Sequence, residues 1–363
     1  MMEFEVIIVG GGIAGASLGA EIAAKRKTLI IEAEDHCGYH ATGRSAAFYL
    51  ESYGGPEVAK LTLASKEFLS RPPQEFSKSG FLRMRGDLHI TRDELPTLPD
   101  SVESRLVERP ELELLLPGVR PQWRRALFEP GCADIDAAAL HGAYLRQFRR
   151  DGGIIATRSR AVRAQSTQDG WVITLGDGST LTASLIVNAA GAWSDQVAQV
   201  GGVPELDINP LRRTMVQLRL GRSGLRNLPL VDGADSSFYF KGEGDDSVWL
   251  SPHDEIPSEP CDAAPEEIDI ATAIDRFEQV VDWPVERVER SWAGLRSFAP
   301  DRLPVYGFDA HQPRFFWCAG QGGFGIQTSP AAAKLAAAAL LGEEPDAMVD
   351  HIDPAVFSPL RFN

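Results

Sequence analysis

The sequence predicts an α/β fold that turns to α+β in its middle, and three observations carry this. Near the start, VIIVGGGIAGASLGAEIAAKRKTLIIEAE (6–34) is a β-branched apolar run, a glycine turn, a helical stretch and a second apolar run ending in acids. Far downstream, RFFWCAGQGGFGIQTSPAAAKLAAAALLGEE repeats the order of strand, glycine turn and Ala-rich helix. Between them, NPLRRTMVQLRL (209–220) alternates in the way of a strand with one face over a cavity.

Composition sets the outer limits. A chain of 363 residues has room for two compact regions and a sizeable core. A formal charge of −15 argues against wrapping nucleic acid, which needs clustered Lys and Arg, and it favours the approach of cations. Cys37, Cys132, Cys261 and Cys318 form no CxxC pair, so reduced thiols are expected, without disulfide or metal ligation. The glycine turn begins too early to leave room for a cleavable leader. No apolar run reaches the roughly 18 residues of a membrane span. A cytoplasmic protein without a transmembrane segment is the expectation.

The first element is a strand at Val6–Val9, apolar on both faces as in a buried parallel sheet. Gly10, Gly12 and Gly15 come next as G-x-G-x-x-G, for the tight turn, the close approach of a pyrophosphate and the packing of helix on strand. Ile13 and Ala14 open a helix expected over Ile13–Lys25, whose free N–H groups point at the phosphates. Thr28–Ile31 is the next strand. Glu32 at its end, beside Ala33, is placed to bind a ribose 2′-OH and repels a 2′-phosphate, so FAD or NAD is favoured over NADP. This is a Rossmann-like dinucleotide site.

The loop after Glu32 decides between FAD and NAD. An NAD protein would continue into another strand and helix. Here HCGYHATGRSAAFYLESYGGPEV offers a loop of small residues, Thr42, Gly43, Arg44, Ser45, Ala46 and Ala47, suited to backbone approach by a flat ring system. FAD is the reading. His36 and His40 in this loop lack a third ligand, so no metal is expected.

Later elements complete the nucleotide half. Val162 is assigned to the cofactor site. Val172–Leu175 and Leu181–Ile186 form an antiparallel pair turning at Gly176–Gly178. Leu185–Asn188 then leads into a turn at Ala189, Ala190 and Gly191, with Trp193 beyond. The distal turn contributes Gly322, Gly323, Phe324, Gly325, Ile326 and Gln327. Its helix is expected from near Thr328 with Pro330 in the first turn, where a proline is harmless. The expected organisation is interleaved: residues 1–80, 124–205 and 289–363 bind FAD, and residues 81–123 and 206–288 form a substrate region on an antiparallel or mixed sheet.

Taken together, VIIVGGGIAGAS, GYHATGRSAA, LIVNAAGAWSD, WAGLRSFAPDRLPVYG and AGQGGFGIQTS resemble the D-amino acid oxidase-like family of FAD-dependent oxidoreductases. Within it, GYHATGRSAA, ADID, RSF and QGGFGIQTS are most similar to the bacterial D-arginine dehydrogenases. The resemblance implies noncovalent FAD, with Cys318 a packed strand residue. It implies hydride transfer from the Cα of a small amino acid and an imino acid that hydrolyses to a 2-oxo acid and ammonia. The electron acceptor would be a quinone or oxygen.

The same resemblance implies the substrate contacts. Arg213 and Arg296 match the carboxylate-binding arginines, a role that suits the bidentate guanidinium. Arg296 has apolar neighbours in sequence, which is costly for a charge without a partner, and Arg212 is the alternative to Arg213, since adjacent strand residues face opposite sides. Tyr53 and Tyr239 match hydroxyls that close over the substrate, and Gly323 matches a carbonyl that receives the amine. Asp87 falls where a carboxylate would face a cationic side chain, or else it is a turn residue after Gly86. Phe48 and Leu50 are apolar where the D-arginine enzymes are polar, so the side-chain preference is expected to be broad or altered. Glycine- or sarcosine-type oxidation, 2-hydroxy acid oxidation and a non-catalytic flavin-binding module remain the alternatives.

Overall fold

A computed structural model describes residues 2–99 and 102–362. Three sheets organise them, of eight, ten and three strands.

The eight-stranded sheet carries the glycine turns. Met2–Val9 lies at its centre, parallel to Thr28–Ile31 on one side and Thr180–Asn188 on the other. Ile154–Ala156 extends it beyond Thr28–Ile31, and Phe315–Ala319 pairs parallel with the end of Thr180–Asn188. One face is covered by the helices Ile13–Ile22, Gly55–Ser70, Ala137–Arg150 and Gly325–Leu341, with Ile8, Leu18, Ile30, Phe148 and Leu335 in a shared core. The opposite face buries Ile7, Leu29, Ile31, Trp171 and Trp317. Both faces are therefore apolar, which is why these strands read as continuous hydrophobic runs. The expected antiparallel pair is present as Gly170–Leu175 with Thr180–Asn188.

The ten-stranded sheet is antiparallel except where Leu230–Gly233 runs parallel to Asp87–Thr91. Its longest strands are Asn209–Leu220 and Val285–Phe298, paired over most of their length. One face packs on the helix Glu267–Glu278 through Leu88, Val216, Phe240 and Phe277. Tyr239, Met215 and Leu230 point to the other side. Three short strands, Phe48–Tyr49, Leu82–Met84 and Ala133–Ile135, bridge the two larger sheets.

Several boundaries differ from expectation. The first helix ends at Ile22, and the distal one starts at Gly325. Pro330 therefore lies inside that helix, where its ring removes the N–H that would reach the Ile326 carbonyl. Ser329 Oγ donates to that carbonyl at 2.9 Å instead. Strands Arg125–Glu129 and Val285–Phe298 belong to the ten-stranded sheet, which therefore extends past the expected boundaries at 124 and 289. The chain returns late to close that sheet, a long-range pairing that motif spacing does not reveal.

Candidate active site

A cavity of about 380 Å³ runs from the first glycine turn to the face of the larger sheet that bears Arg213, Met215 and Tyr239. At its nucleotide end, Gly10 has φ +105°, and a Cβ there would stand 2.4 Å from the Ala189 carbonyl oxygen. A Cβ on Gly15 would stand 2.0 Å from the Gly10 carbonyl oxygen, so helix and strand meet through bare backbone. Gly12 is less crowded, with only Thr42 Oγ1 within 4 Å of such an atom, at 3.3 Å. Thr42 Oγ1 accepts from the Ile13 N–H at 2.9 Å. Glu32 accepts from the Gly11 and Glu34 N–H groups at 2.9 and 3.0 Å, which fixes its carboxylate at the cavity edge.

Most of the expected cofactor residues line this cavity: Gly10, Gly12, Ile13, Ala14, Glu32, Ala33, Thr42, Arg44, Ser45, Ala46, Ala189, Ala190, Gly191, Trp193, Gly322, Gly323, Gly325 and Ile326. The Arg44 guanidinium turns away to the Ala263 and Ala293 carbonyls and to Asp262, tying the loop to the other half.

Others sit behind the wall. Gly15 serves packing. Gly43 closes the loop, its N–H donating to the Gly38 carbonyl at 2.8 Å. Ala47 holds a left-handed φ of 44°. Phe324 packs on Tyr53 and Phe298. Gln327 is buried, accepting from the Leu50 N–H and donating to Thr62 Oγ1. Val162 is a correction: its side chain is 50% exposed, and the preceding residues Ser159, Arg160 and Ala161 line the cavity. The strand is irregular between Ala161 and Arg163, which leaves Val162 out of the pairing.

At the far end, Arg213, Met215, Tyr239, Arg296 and Gly323 line the same cavity. Arg213 is 4% exposed. Its Nε donates to the Asp254 carbonyl at 2.6 Å and its Nη2 reaches Glu255 at 3.4 Å, while Nη1 is buried without a partner. Burial, and then the neighbouring Arg296, draw its proton affinity below that of an ordinary arginine. Arg296 Nη1 donates to the Tyr53 hydroxyl at 2.9 Å, and among the described residues no carboxylate pairs with it within 4.0 Å. Two guanidinium groups thus share a wall with donor capacity to spare. Arg212 faces the opposite way, paired with Glu266 and Asp269.

The flanking wall is apolar. Met215 and Tyr239 line the cavity there, and Leu230, Cys132, Phe48, Leu50, Trp249 and Trp292 pack behind them. Asp87 does not line the cavity; it is fully buried in the strand Asp87–Thr91, facing Glu129 across one pairing and Leu230 across the other. It is not a turn residue either. Met215 at the wall was missed by sequence reasoning. Its alternation with Arg213 in NPLRRTMVQLRL was the available signal.

The residues fit FAD. Glu32, the bare turn at Gly10–Gly15 and the start of Ile13–Ile22 would hold its nucleotide half. The turn at Gly322–Gly325, opening the helix Gly325–Leu341, lies beside the arginines for its ring half.

Fold and cavity define a FAD-dependent oxidoreductase. The chain belongs to the DAO family, FAD dependent oxidoreductase, whose model matches residues 5–339. It is 24% identical over 388 residues to glycine oxidase of Pseudomonas putida, covering 99% of each chain. To L-2-hydroxyglutarate dehydrogenase of Indibacter alkaliphilus it is 27% identical over 264 residues, covering 66% of this chain and 64% of that one. The crystal structure of glycine oxidase from Geobacillus kaustophilus superposes with a TM-score of 0.82 at 20% identity, covering 99% of this chain and 98% of that one. No helix among the described residues is long and apolar enough to cross a membrane.

Proposed function

We propose that this chain oxidises small D-amino acids with apolar side chains at Cα, giving an imino acid that hydrolyses to a 2-oxo acid and ammonia. The single observation that carries the reading is the pair Arg213 and Arg296 on one cavity wall; among the described residues Arg213 Nη1 has no partner and Arg296 is hydrogen-bonded to the Tyr53 hydroxyl alone. A carboxylate matches such paired donors bidentately. Bound FAD, held noncovalently, supplies the hydride acceptor. Cys318, buried in the strand Phe315–Ala319 with its thiol pushed up to about 12 by burial, does not line the cavity, which favours noncovalent attachment.

The protein's part is to position. Arg213 and Arg296 fix the carboxylate, Tyr53 orients Arg296, and Tyr239 with Met215 flanks the side chain. The Gly323 carbonyl receives the amine. A Cβ there would lie 2.5 Å from the Tyr53 hydroxyl, so only glycine leaves that approach open. The chain's own residues need not take the amine proton. A substrate bound as the neutral amine reacts faster as pH rises through the amine's own ionisation. The apolar wall, and the seclusion of Asp87 from the cavity, favour apolar over basic side chains. Electrons leave to a quinone or to oxygen.

The experiment is anaerobic bleaching of the flavin absorbance by D-alanine, D-leucine, D-phenylalanine, D-arginine, glycine, sarcosine and 2-hydroxy acids. Rapid bleaching by apolar D-amino acids is expected. Bleaching only by sarcosine or glycine, or only by 2-hydroxy acids as the likeness to L-2-hydroxyglutarate dehydrogenase would favour, overturns the reading.

A further inference from the structure

Behind the apolar wall the ten-stranded sheet carries a second polar cluster that the proposed reaction does not use. Strand register assembles it. Asp87 pairs with Glu129 on one side and with Leu230 on the other, while His89 pairs with Asp232 and Asp232 with Tyr239. Paired residues on neighbouring strands point to the same face, so Asp87, His89, Asp232 and Glu129 stand together on the face that also bears Tyr239.

The distances are short and the setting is closed. His89 Nε2 lies 3.3 Å from Glu129 Oε2 and 3.8 Å from Asp87 Oδ2, and Nδ1 lies 2.8 Å from Asp232 Oδ1. One donor atom each from Asp87, His89 and Asp232 can be chosen so that all lie within 4.8 Å of one another. Side-chain exposure is 0% for Asp87, 1% for Glu129, 6% for His89 and 25% for Asp232. Asp232 is thus the least enclosed of the four.

Charge is the argument. Three carboxylates face one imidazole, and the basic side chains nearby are engaged elsewhere: Arg85 and Lys241 on Asp134, Lys66 on Glu51. Both Asp87 oxygens are fully enclosed and, among the described residues, accept no hydrogen bond. A buried carboxylate in that condition is costly unless it gains a proton or a cation. The donor set, imidazole nitrogen with carboxylate oxygens, is one that first-row divalent ions take, and donors of a tetrahedral ion stand about 3.4 Å apart. A carboxylate on the remaining imidazole nitrogen is the usual support of a ligating histidine.

We propose that His89 and Asp87, flanked by Glu129 and Asp232, form a binding site for one first-row divalent cation. This departs from the expectation of a chain without metal ligands, and the site is separate from the cavity. It does not depend on the substrate reading, because its test reads metal directly.

FAD-loaded protein is treated with a chelator, dialysed, and titrated calorimetrically with Zn²⁺ and with Mn²⁺. Metal content of untreated protein is measured in parallel by mass spectrometry. The expected result is saturable binding of about one equivalent of at least one ion. His89→Gln and Asp87→Asn should each weaken it at least tenfold while the flavin spectrum persists. Should His89→Gln or Asp87→Asn lose its flavin, Asp232→Asn, at the open edge, is expected to weaken binding tenfold to a hundredfold. No saturable binding by the unaltered protein overturns the proposal, and so does binding that these variants leave unchanged.

Discussion

Arg296 Nη1 donates to the Tyr53 hydroxyl at 2.9 Å, joining a strand of the larger sheet to the loop that precedes the helix Gly55–Ser70. The bond aims the guanidinium without neutralising it, so charge is kept for a ligand. On the proposed reading, Arg296→Leu removes a charged contact and lowers kcat/KM by about a hundredfold, or about 3 kcal/mol. Tyr53→Phe costs about 1 kcal/mol, roughly fivefold. Steady-state kinetics on flavin-replete protein checks both. Equal kinetics in Arg296→Leu and the unaltered chain would remove the carboxylate role.

The glycines of the first turn should separate by crowding. Gly15→Ala forces a Cβ to 2.0 Å from the Gly10 carbonyl oxygen, and protein without flavin is expected. Gly12→Ala meets only Thr42 Oγ1, at 3.3 Å, so the chain should fold yet bind FAD at least tenfold more weakly. Flavin-to-protein absorbance ratios and FAD titration distinguish the two.

Substrate choice should depend on the wall at Met215 and Tyr239. Apolar D-amino acids are expected to reduce the flavin at least tenfold faster than D-arginine. Asp87→Asn should leave that ratio within twofold, since Asp87 does not line the cavity. A collapse of D-arginine reduction in this variant would return Asp87 to the substrate site.

His253 gives a pH dependence of definite sign. Burial, and then Arg213, hold its imidazole at about 4, below the ordinary 6.5. The unfolded chain therefore takes up this proton first as pH falls. Stability is fully present above about 6.5 and declines as pH drops through 4, by about 2–3 kcal/mol for this group. His253→Asn, which tolerates the positive φ of 55°, should flatten the denaturation midpoint between pH 7 and 4.5 relative to the unaltered chain. An unchanged slope would contradict the assignment.

The proline inside the distal helix makes Ser329 a replacement donor. Ser329→Ala leaves the buried Ile326 carbonyl without its 2.9 Å bond, at about 1–3 kcal/mol. Adding Pro330→Ala restores a backbone N–H, so the double variant should recover at least half the loss. Thermal melts of the single and double variants measure this coupling.

The nucleotide half was legible because its constraints are local. Gly10, Gly12 and Gly15 between two apolar runs can do little else, and Glu32 comes after them at fixed spacing. Arg213 and Arg296 stood out through short motifs; alternation meant that only one of Arg212 and Arg213 could face the cavity, and the structure puts Arg213 there. What escaped was set by long-range pairing. Asp87 stood out in sequence with His89 two residues on, but Glu129 and Asp232 reach them only through strands some 40 and more than 140 residues away. The return of Val285–Phe298 to the larger sheet escaped for the same reason, and so did the membership of Arg125–Glu129.

The short pairing of Ser297 with Gly322 and of Phe298 with Gln321 joins the strand that bears Arg296 to the distal glycine turn. The spacing between Arg296 and the turn is thus set by main-chain rungs rather than by the fit of two separate lobes. Loop grafting or splitting of the gene between the halves would cut through this clasp. Engineering of substrate range should leave residues 296–298 and 321–323 fixed and vary Met215 and Tyr239, which line the cavity.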